Sequence, residues 1–314
     1  MVTGDLNRIR ALFGRLRWDD LDPVYLRGLV DLARREDLEG AGLKTSPTRR
    51  EDLTTLATVD PSQRGRACLC ARREIVVCGT AFIPLILEVY GGGCAFEPAC
   101  VDGDVLPAGG SLGILKGSVV SMLQAERVIL NFLQHLSGIS THTARHVQAL
   151  DGSSTRLLDT RKTTPGYRML EKYAVACGGG WNHRLGLFGW ILVKDNHLAS
   201  GSTCSGLLLE SKVRRVVESN PGVAVEVEVD RIDQIEAVVK GGAHIVMLDN
   251  FSNEELVLAK AMIGERAVTE VSGGITEERL REIGPIGLDF VSCGGLIHQS
   301  RWVDIGLDWD ASGS

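Results

Sequence analysis

The second half of the chain alternates short apolar runs with longer amphipathic stretches. The runs are RLLD at 156–159, WILVK at 190–194, AVEVE at 224–228, IVMLD at 245–249, AVTEVS at 267–272 and FVS at 290–292. Between them lie segments long enough for helices, such as 231–240 and 253–262. Short strands alternating with helices predict a parallel sheet with right-handed crossovers. The first half reads differently. Residues 23–35 predict an amphipathic helix, with Asp22 as N-cap and Pro23 at its first position. The segment ACLCARREIVVCG at 67–79 alternates with period two and predicts strands. Gly and Pro punctuate a turn-rich stretch at 91–113. Beyond residue 121, Leu123, Arg127, Leu130, Leu133 and Leu136 recur at spacings of three and four, which predicts a helix to about residue 150. A boundary between two domains falls within or just after it.

Each apolar run is followed by polar or Gly-rich residues at its C-terminal end, where the loops of an α/β barrel converge on one mouth. That places Arg161, Lys162, Lys194, Glu228, Asp249, Ser272 and Gly294 around a common pocket. The dinucleotide fingerprint G-x-G-x-x-G of a doubly wound open sheet is missing, so a barrel, short of eight strands if need be, is preferred.

Composition narrows the function. The formal net charge is −6, which argues against a general nucleic-acid or membrane-surface binder. Against that background Arg127, Arg161, Lys162, His183, Arg184 and Lys194 form a local cationic set, which suits a polyanion. The turns Ser272-Gly273-Gly274 and Gly294-Gly295 follow the last two strands, where a backbone can approach a phosphate. Glu228 and Asp249 suit a divalent metal or the hydroxyls of a sugar. Spacing alone leads to a phosphorylated-sugar enzyme and no further. The eight cysteines form no C-x-x-C pair, and with no signal peptide apparent the expectation is reduced thiols in a cytoplasmic protein. No apolar run approaches the roughly 18–20 residues needed to span a bilayer.

The motifs are more specific. Asp159-Thr160-Arg161-Lys162-Thr163-Thr164-Pro165-Gly166, Glu171-Lys172-Tyr173-Ala174-Val175, Gly178-Gly179-Gly180, Asn182-His183-Arg184 and Lys194-Asp195-Asn196-His197 stand in order along the chain. Asp52-Leu53-Thr54-Thr55, Glu126-Arg127, Asn131-Phe132-Leu133, Glu226-Val227-Glu228-Val229, Leu248-Asp249-Asn250 and Ser272-Gly273-Gly274-Ile275 accompany them. Together they resemble the quinolinate phosphoribosyltransferase family, also called carboxylating nicotinate-nucleotide diphosphorylase, from about residue 50 almost to the C-terminus.

The resemblance implies an α/β fold: an N-terminal α/β open-faced sandwich over 1–135, to which 295–314 returns, and an incomplete (β/α) barrel over 136–294. It implies a decarboxylating pentosyltransferase of NAD biosynthesis. Quinolinate and 5-phosphoribosyl-1-diphosphate become nicotinate mononucleotide, diphosphate and CO2, with Mg2+. It implies a homodimer with shared sites, in which Arg127 of one subunit serves its neighbour. Arg127, Arg161, Lys162, His183, Arg184 and Lys194 then bind the carboxylates and phosphates. Glu228 and Asp249 serve the ribose and the metal, and Ser272, Gly273, Gly274, Gly294 and Gly295 take the 5-phosphate. Lys162, Lys194, Glu228 and Asp249 carry the catalysis.

Two departures from the family pattern stand out. Trp181 replaces a frequent His and is read as a change in the pocket lining. Gly295, Ile297 and Gln299 depart from the usual G-A-L-T-H-S. Plainer roles fall to His135, His142 and His146 as a helix surface, to His197 and His298 as partners of backbone groups, and to Cys177 and Cys293 as small buried residues. The alternatives are a paralogue linked to molybdate transport, which tends to alter N-H-R and K-D-N-H, and a silent ligand-binding relative, which would lack cations or acids.

Overall fold

The computed structural model describes residues 4–194 and 206–309. The chain forms two compact units. One comprises Met1–Arg15, Thr143–Arg168 and Gly180–Gln299, and the other Leu16–His142, Met169–Gly179 and Ser300–Ser314. These bounds differ from a division at residues 135 and 294. The chain changes unit inside the long helix Val119–Gln148, and its first fifteen residues go with the later strands.

The sandwich unit is built on an antiparallel sheet. Its strands are β1 (Arg64–Ala71), β3 (Cys94–Pro98) and β5 (Ser111–Ser118), in the order β12-β1-β5-β3. The strand β12 (Ile305–Trp309) pairs antiparallel with β1, with Leu69 opposite Leu307. On β1 the side chains of Ala67, Leu69 and Ala71 are fully buried while Cys68 and Cys70 are half-exposed, the period-two pattern of a sheet with one covered face. A two-stranded ribbon pairs β2 (Ile75–Val76) with β4 (Val105–Leu106). The stretch 91–113 thus contains strands, which its glycines concealed. A glycine just beyond the stretch shows close approach: a Cβ on Gly117, at φ +143°, would lie 2.2 Å from the Gly93 carbonyl oxygen.

The helix at Pro23–Glu39 begins as its sequence requires, with the Asp22 carboxylate accepting from Val24 N–H and Pro23 leading the first turn. The long helix buries Met122, Ala125, Ile129, Leu133 and Leu136. Of the predicted stripe, Leu130, Leu133 and Leu136 are buried, Leu123 is half-buried and Arg127 is exposed. His146 is buried, and His135 is half-buried with its Nε2 2.9 Å from Glu171 Oε1, so these histidines do not form a bland helix surface. Cys177 is half-exposed and Cys293 buried.

The second unit carries the six runs as six parallel strands. They are β6 (Arg156–Leu158), β7 (Ile191–Val193), β8 (Val225–Val229), β9 (Ile245–Asp249), β10 (Val268–Ser272) and β11 (Phe290–Ser292). Their order is β6-β11-β10-β9-β8-β7. The edge strands β6 and β7 do not pair with each other, which leaves the barrel incomplete; a bridge from Leu158 to Trp181 continues beyond β6. At the N-terminal ends of the strands, Leu6, Ile9 and Phe13 pack with Leu158, Trp190, Ala224, Ile245, Val268 and Phe290. The N-terminal segment therefore closes the floor of the barrel. Arg10 Nε holds it to Asp289 Oδ1 at 2.7 Å, and Asn182 N–H donates to the Gly14 carbonyl at 2.8 Å.

Candidate active site

The C-terminal ends of the six strands surround a pocket of about 770 Å3. It lies wholly within the parallel-sheet unit. Arg161 and Lys162 follow β6, Lys194 follows β7, Glu228 is the penultimate residue of β8, Asp249 ends β9, and Ser272 ends β10; His183 and Arg184 complete the cationic wall. Gly273, Gly274, Gly294 and Gly295 line the same space. Of the residues assigned to the substrates from sequence, Arg127 is not in the lining. It sits on the exposed face of the long helix in the sandwich unit. Of the motif that starts at Lys194, the residues Asp195, Asn196 and His197 lie outside the described residues.

Local hydrogen bonds explain why the motifs have their form. Asp159, fully buried at the end of β6, accepts from Asn182 Nδ2 with one oxygen and from the His183 backbone N–H with the other, both at 2.8 Å. One carboxylate thus ties D-T-R-K to N-H-R. The Thr160 hydroxyl accepts from Lys162 N–H at 3.1 Å and shapes the turn that presents the lysine. The glycines serve two different needs. Gly273 has φ +92°, and a Cβ there would lie 2.2 Å from Asn250 Oδ1. At Gly294 the conformation is ordinary, but a Cβ would lie 2.7 Å from Lys162 Cδ. Its missing side chain is the passage through which Lys162 reaches the pocket.

The electrostatics favour an anion. Arg184 is held below its ordinary pKa, first by burial and then by the neighbouring Arg161. Its Nη1 donates to the Trp190 carbonyl at 3.0 Å, but the Nε–H groups of both Arg161 and Arg184 are buried without a hydrogen-bond partner. Two cations that repel each other and retain unmet donors gain most from a carboxylate or phosphate between them. Across the pocket the Lys194 ammonium is paired with the Glu228 carboxylate, and Asp249 Oδ2 accepts from Asn250 Nδ2 at 2.8 Å.

Some lining residues escaped the sequence reading. Asn250, at φ +60°, is the one described non-glycine residue with positive φ, and it lines the pocket with Thr160, Thr276 and Ser292. Its place in Leu248-Asp249-Asn250 was the available signal. His298 and Gln299 also reach the pocket. A Cβ on Gly295 would lie 2.5 Å from Gln299 Oε1, so the departures at 295 and 299 fit one another: the smaller residue makes room for the larger. Trp181 is not in the lining. Its side chain packs against the barrel floor, with the guanidinium carbons of Arg156 and Arg15 4.3 and 4.8 Å from its ring centroid. The trio His135, His142 and His146 forms no compact group of metal-ligating atoms among the described residues.

A six-stranded open barrel with phosphate-type glycine turns and a cationic mouth defines a phosphoribosyltransferase-like α/β protein. The particular family follows from comparison. The model described as quinolinate phosphoribosyl transferase, C-terminal domain, matches residues 139–308, and that of the N-terminal domain matches residues 52–137. The chain belongs to the quinolinate phosphoribosyltransferase family. It is 41% identical over 207 residues to a probable carboxylating nicotinate-nucleotide pyrophosphorylase of Bacillus subtilis (strain 168), covering 66% of this chain and 70% of that one. It is 38% identical over 263 residues to the carboxylating nicotinate-nucleotide pyrophosphorylase of Mycobacterium leprae (strain TN), covering 82% and 90%. The solved nicotinate-nucleotide pyrophosphorylase of Francisella tularensis superposes with a TM-score of 0.83 at 34% identity, covering 92% and 98%.

Proposed function

We propose that this chain is a quinolinate phosphoribosyltransferase of NAD biosynthesis. It converts quinolinate and 5-phosphoribosyl-1-diphosphate into nicotinate mononucleotide, diphosphate and CO2. The observation that carries this reading is the pair Arg161 and Arg184, whose buried donors want an anion, in a chain of this family. The two carboxylates of quinolinate meet the wall formed by Arg161, Lys162, His183, Arg184 and Lys194. The 5-phosphate lies against the backbone at Ser272-Gly273-Gly274 and Gly294-Gly295, where no side chain intervenes.

Chemistry follows from charge. Breaking the bond from C1 to the diphosphate oxygen leaves an oxocarbenium-like ribose, and Glu228 and Asp249 at adjacent strand ends stabilise it. The pyridine nitrogen attacks C1 and becomes quaternary; it needs no deprotonation, so positioning carries much of the catalysis. When the 2-carboxylate departs as CO2 its bonding electron pair stays on C2, stabilised by the positive charge of the adjacent nitrogen, and that pair takes up a proton in place of the carboxylate. Mg2+ suits this site, because it is bound by one or two carboxylates together with substrate phosphates, and Glu228 and Asp249 supply them. Bound there, it would supply positive charge to the leaving diphosphate. Lys194 shares Glu228 and places a second cation beside it.

The test is direct. Purified protein should release CO2 and diphosphate from quinolinate, and nicotinate should be a poor substrate because its missing 2-carboxylate leaves buried cations unpaired. Comparable kcat/KM for the two acids would sink the assignment, and so would no turnover of quinolinate.

The working form in this proposal is a cytoplasmic homodimer with shared sites, Arg127 serving the neighbouring subunit's pocket. Among the described residues no helix is long and apolar enough to cross a membrane. Dimers of Arg127→Ala alone or Lys162→Ala alone should be nearly inactive. Mixed dimers place both lesions in one pocket and leave the other intact, so random reassortment should restore roughly a quarter of the activity. Verified mixed dimers without recovery would confine Arg127 to its own chain.

A further inference from the structure

Two carboxylates lie beneath the pocket, and the chemistry above uses neither. Glu226 is two residues before Glu228 on β8, and Glu270 two residues before Ser272 on β10. Alternate residues of a strand share a face, so both point into the barrel one layer below residues that line its mouth. Both are fully buried. Trp190 Nε1 donates to Glu226 Oε2 at 2.6 Å, but Glu226 Oε1 and both oxygens of Glu270 are buried without a hydrogen-bond partner. Two such groups in an apolar barrel are costly unless a cation or donor faces them.

The group that faces them is His183. Its Nε2 is 3.3 Å from Glu226 Oε2 and 3.6 Å from Glu270 Oε2. Its ring is enclosed on the other sides by Trp190, at 4.8 Å between centroids, and Phe13, at 6.0 Å. Its backbone N–H is held by Asp159. His183 lines the pocket, so it links the buried acids to whatever anion the pocket holds.

We infer that Glu226 and Glu270 are positioning residues that hold the His183 ring in place, with Nε2 turned into the barrel, as part of the quinolinate-binding wall. The inference rests on the proposed function and deepens it. Charge balance agrees with it. Burial lowers the pKa of His183, but Glu270 and Glu226 outweigh burial and hold it above its ordinary value. Burial and the nearby Glu226 push Glu270 up to about 8. One anion, one neutral acid and one cation then sum to zero inside the barrel, where two bare carboxylates would not be tolerated.

The experiment is a double-mutant cycle on the full-length protein, with KM measured separately for each substrate. Glu226→Gln should raise the KM for quinolinate roughly tenfold and leave that for 5-phosphoribosyl-1-diphosphate within about twofold, since contacting residues couple at this scale. In a His183→Asn background the same substitution should add less than about twofold. Glu226→Asp should recover part of the loss. If Glu226→Gln does not fold, Glu270→Gln enters the same cycle. Equal changes in both KM values, or full additivity with His183→Asn, overturn the positioning role. So does stoichiometric zinc in the purified protein that is lost with Glu270→Gln, because the three side chains would then be a metal site. Wild-type protein that neither binds nor turns over quinolinate overturns the functional reading itself, and the inference with it.

Discussion

The two units of this chain spend their residues differently. In the parallel-sheet unit, β8, β9 and β10 are buried along nearly their whole length and open to the pocket at their last one or two residues. In the sandwich unit, β1 and β3 alternate buried or half-buried positions with exposed ones. A strand covered on both faces has only its end left for chemistry, and the candidate site collects at six such ends. A strand covered on one face spends its polar positions on solvent. Glycine shows the same division: Gly117 lets two strands approach, whereas Gly294 lets a lysine through.

Substitutions should separate these roles. The largest effect belongs to the floor of the barrel. Phe13→Ala should cost about 3–5 kcal/mol of stability, as for a large side chain removed from a packed core, measured as a fall in the urea midpoint. An unchanged midpoint would detach the N-terminal segment from the parallel-sheet unit. Next comes a contrast between the units. Lys162→Ala should cut kcat/KM by roughly 10²–10³, about 2.7–4 kcal/mol of transition-state stabilisation, with an unchanged melting temperature. Gly117→Ala should do the reverse, lowering the melting temperature while kcat well below the transition stays within about twofold, the scale expected of changes away from the site. Activity lost in both, or stability lost in both, would erase the distinction.

The smallest effect is one of pH. Glu270 is raised to about 8, so between the ordinary carboxylate range and pH 8 the folded chain holds a proton that the unfolded chain has released. Stability must therefore fall as pH rises through that window, by at most about 1.4 kcal/mol per pH unit for one proton. His183, also raised, adds stability that is lost as pH rises through its folded value. Glu226 is lowered despite its burial, because His183 and Trp190 hold its charged form, and its contribution is lost only at more acidic pH. Glu270→Gln should flatten the profile between about pH 5 and 8. Parallel profiles for the variant and the wild type would mean that Glu270 is ionised throughout.

Much of the parallel-sheet unit was legible, because continuous apolar runs bounded by charge leave few other structures open. All six runs are strands, and every site residue read from their ends lines the pocket. What escaped depended on contacts distant in sequence. Nothing near Phe13 announces a partner at Phe290, although their ring centroids are 4.1 Å apart. Trp181 was read as pocket lining because it stands where relatives often have His, but its ring packs against the barrel floor. Glu226 entered only as part of a family motif and Glu270 not at all, because only the barrel brings the two together. In the sandwich unit, the glycines that flank β3 and β4 and enter β5 resemble those of turns, since glycine that permits close strand approach cannot be told from glycine that ends a strand.

The barrel floor also bears on how the protein is made. Arg10 and Asp289, which meet there, are 279 residues apart in the chain. At synthesis rates of about 5–20 residues per second, roughly 15–60 s separate the emergence of one from the other. Until the last of the strands emerges, Leu6, Ile9 and Phe13 have only part of the floor to cover. This segment, made long before its last partners, is among the last to find its place, and until it does a chaperone that binds apolar segments has a clear target in it.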